Sequence, residues 1–206
     1  MKKCLSRWII NIYALLLVTN NYFTCAVELE CNYRNFQWTV SETVYGCEIR
    51  TVLDVNNSEL TAVNGSHWNE KKNTDVKALW LWNRNATSTI PSGIGKIFPN
   101  IRGLWWYKGG LEIITAEDLK QFPKLEELAL YKNRLVALEG DLFKHVSNLK
   151  FISFEDNSIT NIDANILDQM DQLEEAVFYG NDCIDYKANN RTEIELLKRL
   201  IATKCS

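Results

Sequence analysis

Several things are missing from these 206 residues, and each absence removes a class of function. Lys and Arg nowhere gather into the basic stripe that phosphate neutralisation needs, and the formal net charge is -3, so no nucleic-acid partner is expected. Only two histidines occur, His67 and His145, far apart in sequence. There is no nucleophile elbow, metal-ligand pair or phosphate loop. The carboxylates read as solvated surface charge. The expectation is therefore a protein that is not an enzyme and uses no cofactor and no metal, with His145 facing solvent. No apolar stretch approaches the roughly 20 residues of a membrane-spanning helix, which argues against stable membrane insertion. What is present is ordinary globular material, 46% hydrophobic and 24% charged. That composition excludes disorder and allows one sizeable core or at most two small ones.

The first 26 residues differ from the rest. Lys2, Lys3 and Arg7 precede an apolar run from Trp8 to Val18, interrupted by Asn11, and small residues stand at Thr24 and Ala26. This is the anatomy of a secretory signal peptide cut after Ala26. The leader holds three of the 23 basic residues and no acid, so the mature chain carries 20 against 26, a charge of -6. Of the six cysteines, Cys31, Cys47, Cys183 and Cys205 remain. An even number in an oxidising compartment suggests two disulfides. Four cysteines allow three pairings; two lie at the mature start and two at the end, which favours the local bridges Cys31–Cys47 and Cys183–Cys205. Secretion also makes Asn56, Asn64, Asn85 and Asn190 candidate glycan acceptors.

A period organises the middle of the chain. Phe98, Phe122, Val146 and Met170 are each 24 residues apart, and the segments between them superpose. One copy carries Leu125, Leu128, Leu130, Asn133, Leu135, Leu138, Leu142 and Val146; the next carries Leu149, Ile152, Phe154, Asn157, Ile159, Ile162, Ile166 and Met170. Alternate residues such as Leu128 and Leu130 suit an inward-facing strand edge. The following Asn has the donors and acceptor needed to satisfy backbone groups where the chain turns. No copy buries its face alone, so neighbours must stack.

With these positions in phase, the chain resembles the extracellular leucine-rich-repeat family, whose core reads L-x-x-L-x-L-x-x-N-x-L. The 24-residue unit and terminal cysteines resemble secreted and cell-surface members, and the short capped format resembles small secreted invertebrate ones. The resemblance implies an α/β solenoid with a curved parallel sheet on its concave face, an irregular or short-helical convex side and disulfide-tied caps. The expected division is a signal peptide over 1–26, an N-terminal cap over 27–75, repeats over 76–180 and a C-terminal cap with a helix over 181–206.

Two departures stand out. Gly109 replaces the ladder asparagine found at Asn133 and Asn157. An earlier copy, Val76, Leu79 and Leu81, is offset by 25 residues from Ile101, Leu104 and Trp106, while Ile90 and Ile94 return to 24. One extra residue must lie between Leu81 and Ile90, leaving Asn85 as either a ladder residue or a glycan acceptor. In the N-terminal cap, Gly46 to Val52 and Glu59 to Val63 read as strands, with a polar connection from Asn64 to Asp75. At the other end Thr192 and Glu195 have capping-box spacing. Ile194, Leu197, Leu200 and Ile201 then share a helical face ending at Lys204. Thr192 would serve both that box and an Asn190 glycan.

Between the inward residues lie outward ones, three per strand over five strands. Aromatics fill seven of these fifteen positions, against 11% of the chain. Trp82, Tyr107, Tyr131 and, past Glu155, Tyr179 form one row; Trp80 and Trp105 form a second; Phe151 adds a seventh ring. Strand packing alone explains some aromatics, but here the interior is already filled, and exposed aromatic patches mark interaction sites. The expected ligand-binding set is Trp80, Trp82, Trp105, Tyr107, Tyr131, Phe151, Glu155 and Tyr179. Its partner would be an extracellular protein or glycan; alternatively the same face mediates self-association into a homo-oligomer.

Overall fold

The structure is a computed structural model that describes residues 3–7, 22–37, 42–50, 59–82 and 88–206, with side chains from residue 28 onward. The apolar run from Trp8 to Val18, Asn56 and Asn85 lie outside the described residues.

Four strands open the chain: β1 (Lys3–Arg7), β2 (Tyr22–Gln37), β3 (Thr43–Ile49) and β4 (Leu60–Asn64). The repeats follow, with β5 (Ala78–Trp82), α1 (Ile94–Ile97), β6 (Gly103–Tyr107) and α2 (Ala116–Leu119). Next come β7 (Glu127–Ala129), β8 (Ala137–Leu138), β9 (Phe151–Ser153) and β10 (Asn161–Ile162). The chain closes with β11 (Glu175–Val177), β12 (Lys187–Ala188) and α3 (Arg191–Lys204). One sheet runs in the order β1-β2-β3-β5-β6-β7-β9-β11-β12, with β4 pairing to β2 off that path. From β3 to β11 all neighbours are parallel, and the antiparallel strands β2 and β12 flank the run. The sheet is thus wider than the five repeat strands, because β3 of the cap joins in phase. On the opposite wall, β8 and β10 form a separate parallel pair.

The period dictates the register. Leu79, Leu104, Leu128, Ile152 and Ala176 pair in one row across neighbouring strands. They point inward with Leu81, Trp106, Leu130, Phe154 and Phe178, and all ten are wholly buried. Leu111, Leu135, Leu138 and Leu142 close the other side. Each fully buried aliphatic side chain contributes about 1.5–3 kcal/mol, and stacking makes that burial available to every copy.

Asparagines line the turns. Asn157 accepts from Leu135 N at 3.1 Å and donates to the carbonyls of Leu130 and Phe154, both at 2.9 Å. Asn133 accepts from the amides of Gly109 and Leu111 and donates to Trp106 O. Asn181 repeats the pattern with Ile159 N, Phe154 O and Phe178 O. The missing rung at Gly109 has a steric cause: a Cβ there would lie 2.0 Å from the Trp106 ring. The indole that replaces Leu130 and Phe154 in this copy occupies the ladder side chain's space.

Both ends are tied as the cysteine distribution suggests: Cys31 to Cys47 and Cys183 to Cys205, with Cα separations of 5.2 and 5.1 Å. In the N-terminal cap, β2 from Val27 onward pairs with β4 and β3, whereas its first five residues pair with β1. A cut after Ala26 would spare the former set. The polar connection folds back on the cap, where the His67 ring stacks on Tyr33 at 3.8 Å and contacts Tyr45 Oη and Asn73 Oδ1, each at 2.9 Å. Burial, with Tyr45 nearby, pushes the Tyr33 hydroxyl up to about 12.

The C-terminal helix differs from expectation at its start. Thr192 lies inside α3, and the cap is Asn190, whose side chain accepts from Glu193 N at 3.1 Å. Asn190 supplies an amide oxygen one residue before the helix, so the box at Thr192 never forms. Ile194, Leu197 and Ile201 are buried and Leu200 is half-buried, as the spacing predicts. His145 is only half-buried on the convex side, with Nε2 3.6 Å from Glu117.

Candidate functional site

Six parallel strands bring the outward residues into three rows. The pairing Trp80↔Trp105 and Trp82↔Tyr107 places the aromatic rows side by side. Ring centroids lie 5.6 Å apart for Trp80 and Trp105, 4.3 Å for Trp82 and Tyr107 and 4.8 Å for Tyr107 and Tyr131. These separations fall within the range of favourable aromatic pairing.

The rows are not uniformly open. Trp82 and Tyr179 are 47% and 46% exposed, whereas Trp105 is 7% exposed. Trp80, Tyr107, Tyr131, Phe151 and Glu155 are intermediate. The expectation of Trp105 as an exposed floor residue is therefore corrected. It packs with Phe36, Val44, Ala78 and Ala129 in a second small core, against which Trp80, Tyr131 and Phe151 also lie. Phe36 comes from β2 and Val44 from β3, so the N-terminal hairpin lays apolar side chains over the floor, with Phe36 5.2 Å from Trp80. Glu127, another floor position, is completely buried.

Beyond that hairpin the sheet holds a groove of about 520 Å³, within the usual size of ligand pockets. Trp80, Trp105, Tyr131, Phe151, Glu155 and Tyr179 of the predicted set line it; Trp82 and Tyr107 do not. Gln37 of β2 and Lys187 of β12 also line it, and sequence reasoning missed both, along with Phe36. The repeat pattern carried no signal for them, since they belong to antiparallel caps outside the period. Lys187 pairs with Glu175 at 2.8 Å. Burial raises the Tyr131 hydroxyl above its ordinary value, with Tyr107 and Glu155 adding to the shift. On the rim, the ammonium groups of Lys108 and Lys132 sit 5.5 and 5.8 Å from the Tyr107 ring centre.

Along the strand entries runs a charge ladder at the repeat spacing. Arg102 grips Glu126 through Nε at 2.6 Å and Nη2 at 3.1 Å, and Lys150 reaches the same carboxylate at 3.3 Å. The Arg102 hydrogen bonds hold Glu126 below the usual carboxylate range. Among the described residues, no group of three or more His, Cys, Asp or Glu is arranged to hold a metal ion, and no helix is long and apolar enough to cross a membrane.

Residues 123–175 match the family model described as leucine rich repeat. Over these residues the repeats are leucine-rich repeats. This solenoid with cysteine-tied ends is also similar to a structure described as the crystal structure of the APL1 leucine-rich repeat domain. The TM-score is 0.56 at 16% identity, over 75% of this chain and 36% of that one. A chain in the structure of the Toll–Spatzle complex, described as a molecular hub in Drosophila development and innate immunity, aligns with a TM-score of 0.49 at 17% identity. That alignment covers 59% of this chain and 17% of the other. Comparison with curated proteins finds no match. The likeness to the APL1 domain establishes the fold, and this chain spans about a third of its length.

Proposed function

We propose that this chain is a secreted, non-catalytic recognition protein that holds an extracellular protein in its concave groove. The observation that carries the reading is the groove itself: about 520 Å³ of space lined by Tyr131, Phe151 and Tyr179, rings that lie outside the main core. Leader anatomy and two disulfides support an oxidising, extracellular setting.

The test is a pull-down from extracellular fluid with the wild-type protein beside a Tyr131→Ala/Tyr179→Ala double variant. The two rings line the groove and lie outside the main core; Tyr131 also rests on the smaller cluster, so circular dichroism checks that the variant keeps its fold. Capture should fall at least tenfold. Undiminished capture removes the concave-face reading. If the retained species is a second copy of the chain, seen as a concentration-dependent dimer in light scattering that the double variant abolishes, the function is self-assembly.

A further inference from the structure

We infer that the groove takes an arginine side chain projected by the partner protein. The guanidinium would enter between Tyr131 and Tyr179 and meet the carboxylate of Glu155. This deepens the proposed function and rests on it.

The first ground is an imbalance of charge. The charged side chains lining the groove are Lys187, Glu175 and Glu155, and Lys187 is paired with Glu175 at 2.8 Å. Glu155 lines the same space half-buried, and among the described residues no cation forms an ion pair with it. A carboxylate partly withdrawn from water and left uncompensated favours a guest of positive charge.

The second ground is the shape of the row. Tyr131, Glu155 and Tyr179 are each 24 residues apart and occupy the same outward position on successive copies. Successive strands lie about 4.8 Å apart, so the two tyrosines stand about 9.6 Å apart with the carboxylate between them. Ring-to-ring contact along this row runs from Trp82 through Tyr107 to Tyr131. It goes no further: the next position is Glu155. The row therefore ends in a slot walled by two rings and floored by a negative charge.

A flat, weakly hydrated guanidinium fits this chemistry better than a compact ammonium. It stacks on aromatic faces while presenting paired N–H donors to a carboxylate. The remaining volume, beside Phe151 and Trp80, would receive the apolar neighbours of that arginine.

The experiment titrates the secreted protein with acetyl-arginine amide, and separately with the neutral isostere acetyl-citrulline amide. Tryptophan emission reports binding, since Trp80 and Trp105 line the groove. The arginine probe should bind saturably and at least tenfold more tightly than citrulline, and Glu155→Gln should abolish that preference without moving the thermal midpoint. Equal binding of the two probes, no saturable binding of arginine, or an undiminished preference in Glu155→Gln each overturns the inference. Protein capture separates it from the reading beneath. Capture lost in the double tyrosine variant but intact in Glu155→Gln rejects the arginine while keeping the face; capture intact in both rejects the face.

Discussion

Trp106 and Gly109 show how one residue decides another's identity. The indole is wholly buried, and any side chain at Gly109 would strike it. Restoring the ladder with Gly109→Asn should therefore destabilise the protein by about 1–3 kcal/mol through overpacking. In the double variant Trp106→Leu/Gly109→Asn the asparagine finds room, so a denaturant double-mutant cycle should show favourable coupling of at least about 1 kcal/mol; additive costs would refute the steric account. Glu126 gives a second prediction at this scale. Its folded pKa is depressed by hydrogen bonds from Arg102. The stability it contributes is full above the ordinary carboxylate value of about 4.3 and is lost as pH falls through the depressed folded value. Glu126→Gln should cost about 1 kcal/mol at pH 7 and leave a smaller loss on acidification below pH 4, measured by urea midpoints.

At the scale of elements, the C-terminal cap tests how one residue serves two roles. Asn190 caps α3 and is also the acceptor in Asn190-Arg191-Thr192. Asn190→Ala should cost about 1 kcal/mol through the lost cap. Asn190→Asp should keep the cap and lose the acceptor, and Thr192→Ala should lose only the acceptor. Thermal midpoints of unglycosylated protein check the ranking, with Thr192→Ala and Asn190→Asp close to wild type. Much of this cap was legible in the sequence: the buried face of Ile194, Leu197 and Ile201 follows from spacing, and the Cys183–Cys205 bridge from placement. Its starting residue was not, because Asn190 and Thr192 both carry side-chain acceptors, and backbone geometry at the chain's exit from β12 chooses between them. Strand β2 was also hidden. Its pairing with β3 is a contact between chain segments, and no repeat announces it.

For the whole molecule, the covering of the concave face by the N-terminal hairpin is the feature to probe. Phe36 is 2% exposed and packs in the cluster that shields Trp105. Phe36→Ala should cost about 3 kcal/mol and make Trp105 accessible, seen as a red shift in emission and stronger acrylamide quenching; unchanged quenching would mean that the curvature of the sheet alone hides the ring. The 24-residue period by itself determined which residues face inward, which stack in rows and that the ends need caps, because strand alternation and repeat stacking are local and nearest-neighbour rules. Which outward rings stay open was decided only by tertiary structure. Trp105 is sealed by side chains from a hairpin more than sixty residues earlier in the chain. Trp82 and Tyr107 fall outside the groove, while Gln37 and Lys187 enter it from the two caps. Exposure depends on what the distant ends of the chain lay across the sheet, and no periodicity within the repeats records that.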